Sequence, residues 1–223
     1  TSGVDAPVRE IADKAGVGYM VASLLDEGAA DLDSKTFHER IDRRAIELGF
    51  SIERDRLRGS LRMLKENSDE AFGLLRLALT APRFDTGDVE RIRSQIMSGL
   101  RRNTTNPNAL AGRKFVEMAF GDHPYGRQTH GTLESIPTIQ TSDLRTYVRH
   151  VLARDKLKIA VVGDIEPAAL AKLLDQTFGG LTAKGDLVPV ADVVPSKPPQ
   201  LAFITLDVPQ TTVMFGGPGI RRH

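Results

Sequence analysis

Tyr19, Ala22 and Ser23 occupy the spacing at which an H-x-x-E-H helix would turn two imidazoles and a carboxylate toward one metal ion. The helix is legible around them: across Gly16–Ala29, Val17, Met20, Val21, Leu24 and Leu25 fall at i, i+3, i+4, i+7 and i+8, a single buried stripe. The chemistry is not. A catalytic zinc takes three ligands from protein and lowers the pKa of its bound water to roughly 7. Alanine has no donor atom, protonated serine is a poor ligand, and one tyrosine does not replace two imidazoles. The expectation is the frame of a zinc helix with no metal, no general base and no catalytic residue on it.

Other reactive side chains supply no substitute. His38, His123, His130, His150 and His223 have neither a second histidine at i+4 nor a carboxylate at ligand spacing in the sequence, which favours structural or surface roles. Ser23 as a nucleophile needs a base, and His38, one helix further on, is the nearest candidate. Tyr19 as a proton donor lacks the base and metal it would assist; filling volume is the better reading. Gly163, Gly216, Gly217 and Gly219 do not spell a phosphate loop and read as turn residues.

Composition excludes several classes. Thirty basic and twenty-nine acidic residues are interspersed and leave a net charge of +1, so no nucleic-acid surface is announced. Arg43-Arg44 and Arg101-Arg102 read as solvated helix faces. The chain has no cysteine, which removes disulfides and thiolate chemistry but suits either a reducing or an oxidising compartment. A hydrophobic content of 40% over 223 residues is enough for a sizeable core, and no apolar run approaches the roughly 18 residues of a membrane span.

The elements that must hold these positions follow from periodicity and punctuation. A first helix is predicted over residues 12–27, stopped by Gly28, and a second over Lys35–Leu48, capped by Asp33-Ser34 and ended by Gly49. Phe50–Asp55 and Leu57–Leu64 read as an antiparallel strand pair. Helices follow from Asn67-Ser68 to Pro82, over Asp85–Arg102, from Asn106-Pro107 to Phe120, from Thr141 through Leu152, and over 167–178, where Pro167 is tolerated in the first turn. Lys158–Asp164 reads as an apolar strand, residues 182–199 with four of the twelve prolines as a connector, and Gln200–Asp207 and Gln210–Gly219 as two further strands.

Taken together, these features resemble the pitrilysin or insulinase-like zinc metallopeptidases, which include the mitochondrial processing peptidase. The family phrase G-[IL]-A-H-F-L-E-H-M-L-F-K-G-T lies without a gap over Gly16–Ala29, with the histidines on Tyr19 and Ser23 and the glutamate on Ala22. The third zinc ligand, a glutamate on a later helix, falls on Gly99 within Val89–Leu100. The H-P-Y-G turn at His123–Gly126 and the strand ending in Gly163-Asp164 continue the match. The resemblance implies an α+β fold: a mostly antiparallel sheet flanked by helices, with a first unit over 1–181 whose initial strands are missing, a linker over 182–199, and the first strands of a truncated second unit over 200–223.

It also implies a non-catalytic subunit of a two-chain zinc peptidase, supporting substrate binding and assembly with an H-x-x-E-H partner. Such a subunit would take up extended peptide at a sheet edge within Phe50–Leu64, at Ser51, Ile52, Glu53 and Arg54, although an ordinary strand pair blunted by its charges fits these residues as well. An arginine and a tyrosine that reach the partner's zinc would lie beyond His223. The alternatives are a structural or assembly protein of the same fold, a homodimer, or, least supported, an independent protease with a hidden catalytic set. By analogy with bacterial pairs the expected compartment is the periplasm, with the cytoplasm as the alternative.

Overall fold

The computed structural model describes residues 14–194, 200–217 and 219. Expectations that fall on residues 12–13, 195–199, 218 and 220–223, His223 among them, lie outside the described residues. Among the described residues seven α-helices and two β-strands precede residue 179: α1 (Val17–Ala22), α2 (Ser34–Arg43), β1 (Glu47–Ile52), β2 (Leu57–Arg62), α3 (Ser68–Thr80), α4 (Thr86–Asn103), α5 (Pro107–Phe120), α6 (Thr141–Val151) and α7 (Pro167–Phe178). The fold is α+β, with helices around a small antiparallel hairpin.

The first two helices are shorter than their apolar stripes suggest. Helix α1 starts only at Val17 because Gly16, at φ 91°, is left-handed, and after Ser23 the chain continues in turns. The Ser23 hydroxyl donates to the Tyr19 carbonyl (2.9 Å) alongside the Ser23 amide (3.1 Å), a local competition that loosens helices. The stripe nevertheless stays inside: Met20, Val21, Leu24 and Leu25 are fully buried. Helix α2 begins as expected, with Asp33 accepting from the Thr36 amide. It ends at Arg43 rather than Leu48, because Ala45 turns to φ 48° and the Ile46 amide closes back on the Ile41 carbonyl (3.0 Å). Ile46 then enters the core in place of Ala45, and Leu48 belongs to β1.

The hairpin register pairs Leu48 with Leu61, Phe50 with Gly59 and Ile52 with Leu57, so its apolar residues share one face. Gly59 leaves room for the Phe50 ring, which would lie 3.3 Å from a Cβ there. That face and α1 pack against Leu75 and Leu79 of α3, Val89, Ile92 and Ile96 of α4, and Leu144 and Tyr147 of α6. A second cluster joins Phe37 and Ile41 of α2 to Ala71, Leu74 and Ala78 on another face of α3. Arg93 clamps α4 to the turn at Ile136–Thr138 by donating to the Ile136 and Ile139 carbonyls.

Three expected strands are not formed. Lys158–Asp164 joins no strand ladder; Asp164 instead accepts from Lys65 Nζ (2.8 Å), and Val162 is wholly exposed with Ile159 and Val161 partly so. Residues 200–207 and 210–217 are likewise without a ladder, and Phe203 and Phe215 face solvent. Alternation records a tendency to pair, but a strand exists only where a neighbouring strand completes a ladder of hydrogen bonds, and among the described residues only β1 and β2 form one. Residues 212–216 lie along α5: Thr212 bonds Asn108 (3.2 Å), and Gly216 abuts the Phe115 ring. No helix among the described residues is long and apolar enough to cross a membrane.

Gly18 sets how closely these layers approach. A Cβ on it would fall on Ile52 Cδ1 and on the Tyr147 hydroxyl, whereas a Cβ on Gly73, inside α3, would meet nothing within 4 Å. The same replacement should therefore have opposite signs. In urea unfolding, Gly18→Ala is expected to lose about 1–3 kcal/mol through overpacking, and Gly73→Ala to gain about 0.5–1 kcal/mol from helix propensity.

Candidate functional site

Helix α1 places the three positions of interest in one turn. Ala22 is buried, Tyr19 and Ser23 are half-buried, and the Ser23 hydroxyl is engaged by the Tyr19 carbonyl. The Tyr19 ring lies against the His130 ring, with centroids 4.2 Å apart at 43°. Gly99 sits half-buried near the end of α4, where the one atom within 4 Å of a Cβ would be Arg102 Nη2 at 3.7 Å. No group of three or more His, Cys, Asp or Glu among the described residues could hold a metal ion. Tyr19, Ala22, Ser23 and Gly99 offer one phenol and one engaged hydroxyl, a donor set that does not fit zinc.

Two histidines meet carboxylates across the fold, which their sequence spacing did not show. His38 Nε2 lies 3.5 Å from Glu27, and His150 Nδ1 lies 2.9 Å from Asp186. His38 contacts Glu27 rather than Ser23, so the Ser23–His38 pair is not formed. His123 Nδ1 accepts from the Tyr125 amide (3.2 Å), which leaves Nε2 to donate to the Ala191 carbonyl (2.9 Å). His130 keeps more than a third of its surface in solvent, yet loss of water on its covered side lowers its pKa and favours the neutral ring.

The best-connected polar group near α1 is Glu27, just beyond the helix. Its Oε2 accepts from Ser34 Oγ and from Arg91 Nη2, both at 2.6 Å, and Arg91 also holds Asp88 (3.1 Å). Burial alone would raise the Glu27 carboxyl; the hydrogen bonds from Arg91 and Ser34, with the Arg91 charge, outweigh it and hold the pKa below its ordinary 4.5. Asp26 beside it goes the other way, raised from 3.8 chiefly by burial. No motif marks Glu27, because its partners come from two other helices.

The hairpin tip forms one wall of a cavity of about 660 Å³, completed by Leu100 and Asn103 of α4 and by Gln128, Thr129 and His130. Of the expected edge residues, Ser51 and Ile52 lie in β1, but Glu53 and Arg54 belong to the four-residue turn, where the Glu53 amide donates to the Arg56 carbonyl (2.9 Å). Turn closure removes those two from any strand edge. Tyr125, from the H-P-Y-G turn, donates its hydroxyl to Asp55 at 2.7 Å, and that bond is the chief reason its pKa is pushed up to about 12.

Residues 138–222 match the family described as the peptidase M16 inactive domain. Over 91% of its length the chain is 26% identical to the non-peptidase homolog YmxG of Helicobacter pylori, covering 47% of that protein. It is 23% identical to an uncharacterized zinc protease of Mycobacterium leprae, over 79% of this chain and 40% of that one. The crystal structure of a peptidase M16 inactive domain from Pseudomonas fluorescens superposes with a TM-score of 0.80 at 24% identity, over 87% of this chain and 47% of that one. In sequence and fold the chain is similar to the insulinase-like M16 peptidases. It spans about half the length of these relatives.

The Glu27 cluster yields a signed pH dependence. A carboxyl whose folded pKa is depressed contributes stability that is present above its unfolded pKa and is lost as pH falls through the folded value. Glu27→Gln is therefore expected to cost about 1–3 kcal/mol at pH 7, the range for hydrogen bonds to a charged group. The gap from wild type in urea midpoint should shrink as pH falls below the usual 4.5. A gap that stays constant from neutral pH to about pH 3 would contradict the depressed carboxyl.

Proposed function

We propose that this chain belongs to a non-catalytic M16 subunit that supports substrate binding and assembly with an H-x-x-E-H partner. One observation carries the reading. The scaffold around α1 is closely packed, down to a glycine at position 18 that admits Ile52 and Tyr147, while Tyr19, Ala22, Ser23 and Gly99 supply no donor set suited to zinc. A frame kept foldable without its ion suggests a role for shape and surface. The similarity to the M16 inactive domain and to the non-peptidase homolog of H. pylori supports it.

In this reading the subunit binds extended peptide by adding it to a free edge of the hairpin, a mode whose main-chain hydrogen bonds need no metal. Within the described residues β1 pairs only with β2, so an edge remains for such pairing. The division into a first unit over 1–181 and a second beginning near residue 200 belongs to the same proposal, as does a periplasmic location.

Co-expression with a homologous H-x-x-E-H chain should give a complex that survives size exclusion. The complex is expected to hydrolyse an unstructured peptide about ten-fold faster than the partner alone, roughly 1.4 kcal/mol of transition-state stabilisation. A partner equally active by itself would contradict the proposal.

A further inference from the structure

The cavity at the hairpin tip has one charged side chain without a partner among the described residues. Glu53 is tied to Arg56, with Arg56 Nη2 at 2.7 Å and Nε at 2.9 Å, and Asp55 receives the Tyr125 hydroxyl. Arg54, the remaining charged side chain of that wall, makes no ion pair or hydrogen bond among the described residues. Asn103 and Gln128 also line the cavity; their amide groups are unengaged among the described residues, and each carries two N–H donors besides its carbonyl acceptor. The wall thus holds one guanidinium without an anionic partner among the described residues, beside two amides able to donate or accept. A volume of about 660 Å³ falls within the ordinary range of small-ligand sites.

Position narrows the occupant. Arg54 follows the last residue of β1 by two places, and a strand advances about 3.3 Å per residue. A peptide paired along the free edge of β1 therefore reaches the cavity within one or two residues of passing Ile52. Guanidinium is the side chain whose fork of donors matches a carboxylate bidentately.

We propose that this cavity binds a carboxylate of the peptide laid along β1, with Arg54 as the cation and the Asn103 and Gln128 amides as neutral donors. The proposal rests on the peptide-binding reading above and adds a chemical preference to it. The carboxylate has two sources, the peptide's C-terminus or an Asp or Glu side chain.

Fluorescence anisotropy with labelled eight-residue Val/Thr peptides separates these cases. The peptides end in a free acid, in an amide, or in an amide with a penultimate Glu. The free acid should bind the wild-type chain about ten-fold tighter than the plain amide. Arg54→Gln should abolish the difference and Arg54→Lys retain part of it, with unchanged circular dichroism for both. Recovery of affinity by the penultimate Glu assigns the site to side chains, and failure to recover assigns it to chain termini. Equal binding of acid and plain amide would overturn the carboxylate preference while leaving peptide binding intact. No binding of any peptide would overturn both.

Discussion

The close approach of backbone to side chain at Gly18 is the constraint on which the rest of this structure depends. Helix α1 has only six residues, far below the length at which an isolated helix holds itself together, so its shape is imposed by its surroundings. Gly18 lets the Ile52 side chain from the hairpin and the Tyr147 ring from α6 lie directly on the helix. A second such contact joins the left-handed Gly16 to Gly131 and Ile136. The stripe of Met20, Val21, Leu24 and Leu25 then fills the space between the hairpin and helices α3, α4 and α6. None of these interactions involves a metal or any polar group of the helix. That is why this frame holds together without metal ligands on α1.

What stands at those positions follows from the same packing. Once ligands are absent, a buried polar atom must find another partner or cost free energy, and the Ser23 hydroxyl meets this demand by bonding within its own helix. Tyr19 places its ring against His130, and Ala22 leaves no polar atom in the buried wall. The charge near α1 is displaced to Glu27, where Arg91 and Ser34 satisfy it and tie the end of the α1 segment to the starts of α2 and α4. The polar chemistry here holds elements together.

The sequence conveyed local order better than long-range pairing. Helices α3 to α7 were legible within a residue or two because their apolar periods are bounded by caps and prolines, as with Asn106, whose side chain accepts from the Asn108 and Ala109 amides. The ends of α1 and α2 were missed because left-handed backbone at Gly16 and Ala45 cuts the elements while the apolar pattern runs on. Lys158–Asp164 shows that apolar patterning states a capacity to pair, not the presence of a partner. The grouping of Tyr19, Ala22 and Ser23 was readable because they sit one turn apart on one segment. The Glu27 cluster and the Asp55–Tyr125 bond were not, since each joins residues from separate elements.

The account stands most directly on whether the α1 cleft can grip a divalent cation. Equilibrium dialysis of the purified chain against zinc, followed by metal analysis, measures that. The account predicts no stoichiometric zinc retained beyond weak, easily chelated surface binding. One zinc per chain, surviving dialysis and lost on substitution of Tyr19 or Ser23, would contradict it.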